Sequence, residues 1–143
     1  MTAAMDIRRY RETDRSQVVA LWKGAFPNDP PRNEPNRMID AKLAVDDLIL
    51  VAVEADGIVG AAIAGYDGHR GWLYSVAVDE SMRRKRVGSA LIRHAVDVLR
   101  GLGCIKVNLQ VRSTNTAVVA FYQSLGFEVE DRVSMGLLSS EPG

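Results

Sequence analysis

Residues 48 to 78 restrict the fold more than any other part of the chain. "LILVAVE" is a dense apolar strand, and Asp56-Gly57 is a strong hairpin signal after it. "IVGAAIAGY" is the returning strand, "DGHRG" (67 to 71) a second turn, and "WLYSVAV" a third strand. Consecutive strands joined by short turns pair antiparallel, so the stretch reads as a three-stranded meander. Helices flank this meander in the chain.

Those helices are legible on either side. "DIRRYRETD" is a short strand and a turn, in which Thr13 or Asp14 can cap a helix running to about Ala25. Its apolar stripe is Val18, Val19, Leu21 and Trp22. Four prolines between residues 27 and 35 impose a loop, and a second helix spans roughly Asn36 to Val45. A third runs from about Arg86 to Arg100. Val87, Leu91, His94 and Val98 share one side, flanked by Ala90 and Ala95 and widened by Ile92, Val96 and Leu99. Ser89, Arg93, Asp97 and Arg100 gather opposite. Gly101 and Gly103 end it. "IKVNLQV" is a strand, "NTAVVAFYQSL" a helix stopped by Gly126, and "FEVEDRVSM" a final strand. The tail "SSEPG" is expected to fray. The order β-α-α-β-β-β-α-β-α-β is an α+β, mixed-sheet class. Without repeats or a long linker, residues 1–143 are expected to form a single domain.

Bulk properties exclude several functions. Eighteen Lys and Arg balance eighteen Asp and Glu, unlike the basic excess of a DNA-coating protein. No apolar stretch spans a bilayer, and "MTAAMDIRRY" lacks a secretion segment. A single Cys104 cannot make an internal disulfide, which fits a reducing cytoplasm, and its apolar setting reads as a buried structural thiol.

Against that balance, Arg83, Arg84, Lys85 and Arg86 stand side by side between a strand end at Val78 and a helix start at Val87 and Gly88. A helix N-terminus offers free N–H groups and the positive end of the macrodipole. Phosphates bind there, and Gly88 and Ser89 keep the first turn slim for a close approach. The expected ligand is small and highly phosphorylated. A solvated charge run is the ordinary alternative. A nucleic-acid patch is another, weakened by the absence of interleaved aromatics.

"VAVDESMRRKRVGSALI" resembles the acyl-CoA-binding segment of the GNAT (GCN5-related N-acetyltransferase) superfamily, through Arg83, Val87, Gly88 and Leu91. "NTAVVAFYQSLGFEVED" resembles the family's second block, through Asn115, Phe121, Tyr122, Leu125, Gly126 and Phe127. Both stand in the family's order, and the resemblance covers nearly the whole chain. The turn "AGYDGHRGW" is similar to that of the small YpeA-like bacterial acetyltransferases. The chain departs from the pattern at Arg86, where the family has a glycine, and at Val118, where it has an alanine.

The resemblance implies a GNAT-like acyl-CoA N-acyltransferase fold. It implies an enzyme that moves an acetyl group from acetyl-CoA to a primary amine by direct attack in a ternary complex, without a metal. Main-chain groups of Val76 and Val78 would pair with the pantetheine arm. Amides from Arg83 through Arg84, Lys85, Arg86, Val87 and Gly88 to Ser89 would cradle the pyrophosphate, and Asn115 would steady the cofactor. Tyr122 would protonate the departing thiolate. The strand "GWLYSVAV" carries no carboxylate to serve as a base. His69 lies seven strand residues from Val76, roughly 23 Å away. The acceptor, a small-molecule or peptide amine, would enter a pocket built from the early helices, the proline loop and the final strand. No nucleic-acid or membrane partner is expected, and a homodimer follows only family habit. The alternative is a non-catalytic acyl-CoA-binding or regulatory module on the same fold.

Overall fold

The computed structural model describes residues 5–55, 57–82 and 86–140. Two compact units divide the chain, Met1–Leu109 and Gln110–Gly143.

The first unit holds a five-stranded sheet in the order β1-β2-β3-β4-β5. Its strands are β1 (Asp6–Arg9), β2 (Ile49–Glu54), β3 (Gly57–Tyr66), β4 (Gly71–Val78) and β5 (Val107–Leu109). β1 to β4 pair antiparallel, whereas β5 joins β4 in parallel. The expected meander is there as β2-β3-β4. Asp56 lies outside the described residues, and Gly57 already pairs with Glu54 as a strand residue. The turn before β4 is built by the side chain of Asp67. Its Oδ1 accepts from the backbone N–H groups of His69 and Arg70, both at 2.7 Å, while Gly68 supplies a positive φ.

Helices cover the two faces. α1 (Arg15–Ala25) and α2 (Pro35–Leu43) lie on one, where Val18, Trp22 and Ile39 meet Ile49, Val51, Ala61 and Ala77. α3 (Val87–Gly101) covers the other with Val87, Leu91, Ile92, Ala95 and Leu99, all buried. Arg93, Asp97 and Arg100 are exposed, as the helical period requires, and His94 is half-buried. Cys104 is buried, and its thiol donates to the Lys106 carbonyl at 3.2 Å. A Cβ at Gly71 would stand only 2.7 Å from that sulfur, so sheet and thiol are fitted to each other.

Thr13 and Asp14 lie in a short 3-10 turn, Glu12–Asp14, that leads into α1. Asp14 is not a side-chain cap of the helix. It is buried, and its carboxylate accepts from Arg8 twice (2.8 and 3.0 Å) and from the Arg11 N–H at 2.8 Å. An ion pair from β1 thus anchors the start of α1. Arg15 joins α1 to α2 through Asp40 at 2.7 Å.

In the second unit α4 (Thr116–Ser124) forms as expected. It ends with Gly126 at φ 99°, the Gly126 N–H bonded to the Gln123 carbonyl and the Phe127 N–H to the Tyr122 carbonyl. This is the Schellman pattern that the glycine announces. The expected final strand does not form. A strand needs a partner, and no strand pairs with residues 127–135 among the described residues. Val129, Val133 and Met135 stand exposed, at 72%, 86% and 90%.

Candidate functional site

β4 is not a regular strand. Its register against β3 shifts between Ala61 and Ile63: Ala61 faces Ala77, whereas Ile63 faces Tyr74. Two residues of β4, Ser75 and Val76, therefore stand opposite one of β3, which is a bulge. Ser75 carries it at φ 50°, in the left-handed region that a serine seldom enters. The extra residue reverses the alternation of the strand. Gly71 and Ala77 would share a face in an uninterrupted strand. Here Gly71 faces Leu99 of α3, and Ala77 packs with Val18 and Trp22 of α1.

The bulge has two side-chain partners. The indole N–H of Trp22 donates to the Ser75 carbonyl at 2.8 Å, and the Ser75 hydroxyl approaches the Met38 sulfur at 3.8 Å. Trp22 and Met38 also line a pocket of about 410 Å³ between α1 and α2. Lys23 and Phe26 from the end of α1, four prolines, Asp29, Asn33 and Glu34 complete it. Glu34 accepts from the Arg37 N–H (2.8 Å) and from Asn36 (3.0 Å), which hold its carboxyl below the usual range. It is ionised at neutral pH. The early helices and the proline loop, two of the three parts expected to build an acceptor pocket, line this cavity; the third, a final strand, does not form at 127–135.

β5 pairs with β4 only from Gly71 to Leu73. From Tyr74 to Val78, no strand covers that edge among the described residues. The edge leads toward the start of α3: Val78 packs beside Val87 and Met82. Among the described residues no side chain caps the N-terminus of α3, and its first turn carries no acid. Val76, Val78, Arg86, Val87, Gly88 and Ser89 thus lie in the first unit, on β4 and at the start of α3. Arg83, Arg84 and Lys85 lie outside the described residues.

Arg86 takes the left-handed conformation, φ 62° and ψ 20°, as the residue before α3. That conformation costs an L-residue about 1–2 kcal/mol and a glycine little. The departure from the family pattern therefore has a backbone consequence. Arg86→Gly is expected to raise stability by about 0.5–1 kcal/mol, after glycine's own entropy cost, measured as a higher urea midpoint. A lower midpoint would show that the Arg86 side chain holds a contact of greater worth.

The second unit carries the other two expected residues. Asn115 caps α4, its Oδ1 accepting from the Val118 N–H at 3.3 Å. Tyr122 is half-buried between Phe121 and Phe127, with ring centres 5.1 and 5.6 Å away, both edge-on. Burial pushes its phenol above the ordinary value, so the hydroxyl is protonated at neutral pH. Asp67 and His69 stand in the turn before β4, where the His69 Nδ1 lies 3.5 Å from the Arg70 guanidinium. Sequence reasoning missed Ser75 and gave Trp22 only a place in an apolar stripe, since nothing in "WLYSVAV" marks a bulge.

Comparison with known proteins bears on this arrangement. The model of a family described as "Acetyltransferase (GNAT) family" matches residues 15–127, across both units. An acetyltransferase of Sodalis glossinidius (strain morsitans) is 40% identical over 130 residues, 90% of this chain and 91% of its own. One of Yersinia enterocolitica is 37% identical over 133 residues, 92% and 94% of the two chains. Among solved structures, Ard1 from Thermoplasma volcanium has a TM-score of 0.79 at 25% identity, covering 89% of this chain and 84% of that one. The aminoglycoside N-acetyltransferase AAC(6')-Iy in complex with CoA has a TM-score of 0.83 at 23% identity and covers 98% of each chain, a likeness of fold. With a family match over most of its length and relatives of this identity, the chain belongs to the acetyltransferase (GNAT) family and is an acetyltransferase.

Proposed function

We propose that this acetyltransferase takes its acetyl group from acetyl-CoA and passes it to a primary amine by direct attack, with the chain working as one domain. One observation carries the reading. The edge of β4 that no strand covers among the described residues leads to the N-terminus of α3, which no described side chain caps, so a strand-like arm and an anion site would join end to end.

The pyrophosphate of the cofactor is read onto the amides of Arg86, Val87, Gly88 and Ser89, with Arg83, Arg84 and Lys85 adding charge. The pantetheine arm then runs back along β4 past Val78 and Val76, which brings its thioester beside Ser75. Asn115 contributes from the second unit in this reading. The amine nitrogen attacks the thioester carbonyl carbon. As the C–N bond forms and the C–S bond breaks, the leaving thiolate takes the proton of the Tyr122 hydroxyl. The amine attacks in its neutral form, and the N–H proton it sheds as the amide forms passes to water, which returns a proton to the Tyr122 phenolate, since β4 has no carboxylate to receive it. The pocket between α1 and α2 is the acceptor's place. Its apolar floor of Trp22, Phe26 and Met38, with the carboxylates of Asp29 and Glu34, suits an amine on a partly apolar small molecule or peptide.

Calorimetric titration with acetyl-CoA tests the reading, on the parent and on an Arg84→Glu/Arg86→Glu variant. Micromolar binding by the parent is expected, weakened at least about tenfold in the variant as charge-assisted contacts become repulsive. A parent that binds no acetyl-CoA would end it.

A further inference from the structure

The Trp22 indole has a task in the reaction that its place in the core does not reveal. We propose that Trp22 is a positioning residue for acetyl transfer: its N–H bond to the Ser75 carbonyl sets the β4 bulge against which the donor's thioester lies. The proposal rests on the reading that acetyl-CoA lies along β4.

The argument begins with the cost of the bulge. Ser75 holds φ 50°, and a residue with a Cβ stays in that region only when its surroundings hold it there. The bulge lies within the strand rather than at a glycine turn, so the conformation needs an external hold. Trp22 supplies one. It is 1% exposed, and its indole has one N–H, which goes to the Ser75 carbonyl at 2.8 Å. A buried indole N–H without a partner would be costly, so the bond is secured from both ends.

The peptide plane extends that hold along the strand. No cis bond occurs among the described residues, so the Ser75–Val76 peptide is trans and planar. Its carbonyl and its N–H point in opposite directions. Fixing the Ser75 carbonyl toward Trp22 therefore fixes the direction of the Val76 N–H. Val76 belongs to the stretch whose outer edge no strand covers among the described residues. An error of about an ångström at a reacting group can cost a hundredfold in rate, so a device that holds one peptide plane is worth a buried hydrogen bond.

Trp22 also lines the pocket read as the acceptor's, as does Met38, whose sulfur meets the Ser75 hydroxyl. The pocket floor and the bulge thus share two side chains. An acceptor resting on that floor rests on the residues that aim the donor strand.

Trp22→Phe removes the N–H and keeps most of the apolar packing. Ser75→Gly removes the strain, because glycine enters the left-handed region freely. Three proteins follow: Trp22→Phe, Ser75→Gly and the pair. The probe is [1-¹³C]acetyl-CoA, whose carbonyl resonance is compared free and bound, beside CoA affinity by calorimetry. In the parent the bound carbonyl is expected to shift. Trp22→Phe should lose more than half of that shift and keep its CoA affinity. The double variant should regain it, because a glycine bulge no longer needs the tether. With an amine that the parent acetylates, kcat should fall about tenfold in Trp22→Phe with little change in KM for acetyl-CoA, as for one lost hydrogen bond. A packing role alone would lower thermal stability without moving the carbonyl, and glycine at 75 would not reverse it; either result overturns the proposal. If Trp22→Phe does not fold, the double variant decides: a parent-like carbonyl shift supports the tether, and a folded, CoA-binding double variant without the shift overturns it. A parent that binds no acetyl-CoA would overturn the functional reading itself, a distinguishable failure.

Discussion

Tyr122→Phe is expected to slow acetyl transfer about 10²- to 10³-fold while leaving CoA affinity unchanged, which is the usual size of a lost general acid. The substitution deletes one oxygen from a ring held edge-on between Phe121 and Phe127, so α4 and its packing should survive. Only the hydroxyl goes, the proton donor of the proposed mechanism. Burial raises the phenol pKa, which keeps the donor protonated through neutral and mildly alkaline pH. The sign follows from that direction: kcat should hold until pH passes the ordinary phenol value near 10, falling only above it. Any stability linked to this group is likewise present below that value and lost as pH rises through the raised one. Single-turnover rates with acetyl-CoA, read beside calorimetry, check the prediction. Unchanged turnover in the Phe variant would remove Tyr122 from the mechanism and leave it as the aromatic filler of α4.

Asp14→Asn should destabilise the protein by about 2–3 kcal/mol, somewhat less than the cost of breaking a fully buried pair, because Arg8 keeps 22% side-chain exposure. The amide keeps the shape and can still accept from the Arg11 N–H. It leaves the Arg8 guanidinium without its counter-charge, between β1 and the start of α1. The Arg8 guanidinium and the Arg11 N–H hold the Asp14 carboxyl below its usual range. A depressed pKa gives stability that is complete above the unfolded value, near 4, and lost as pH falls through the folded one. The gap between parent and variant in urea unfolding should therefore be constant at neutral pH and narrow only below about pH 4. A gap under about 0.5 kcal/mol at pH 7 would show that the pair is worth no more than a surface bridge.

The legible parts of this chain share one property: short-range physics decides them. The meander follows from apolar runs and turn residues, and Gly68 and Gly126 take the positive φ their turns require. The broad face of α3 follows from its period. The three-residue β5 and the loss of a strand at 127–135 were not legible, because strand length depends on a partner rather than on β propensity. Asp14 shows the same limit. Its type fits a helix cap, but Arg8, on β1 six residues earlier, recruits it as a buried counter-ion.

The candidate site divides along the same line. The order of strand, basic run and helix, the blocks around Gly88 and Tyr122, and the departure at Arg86 are properties of the sequence. They suffice to name the family, because the segment around Gly88 and the block around Tyr122 are each written in consecutive residues. Only the tertiary structure shows that Ser75 bulges and that Trp22, 53 residues earlier, holds its carbonyl. It alone places Trp22 and Met38 in both the pocket floor and the bulge. A bulge is a mismatch of register between two strands, and a tether is a contact across the fold. Neither has a local signature, because each is a relation between segments that meet only when the chain has folded.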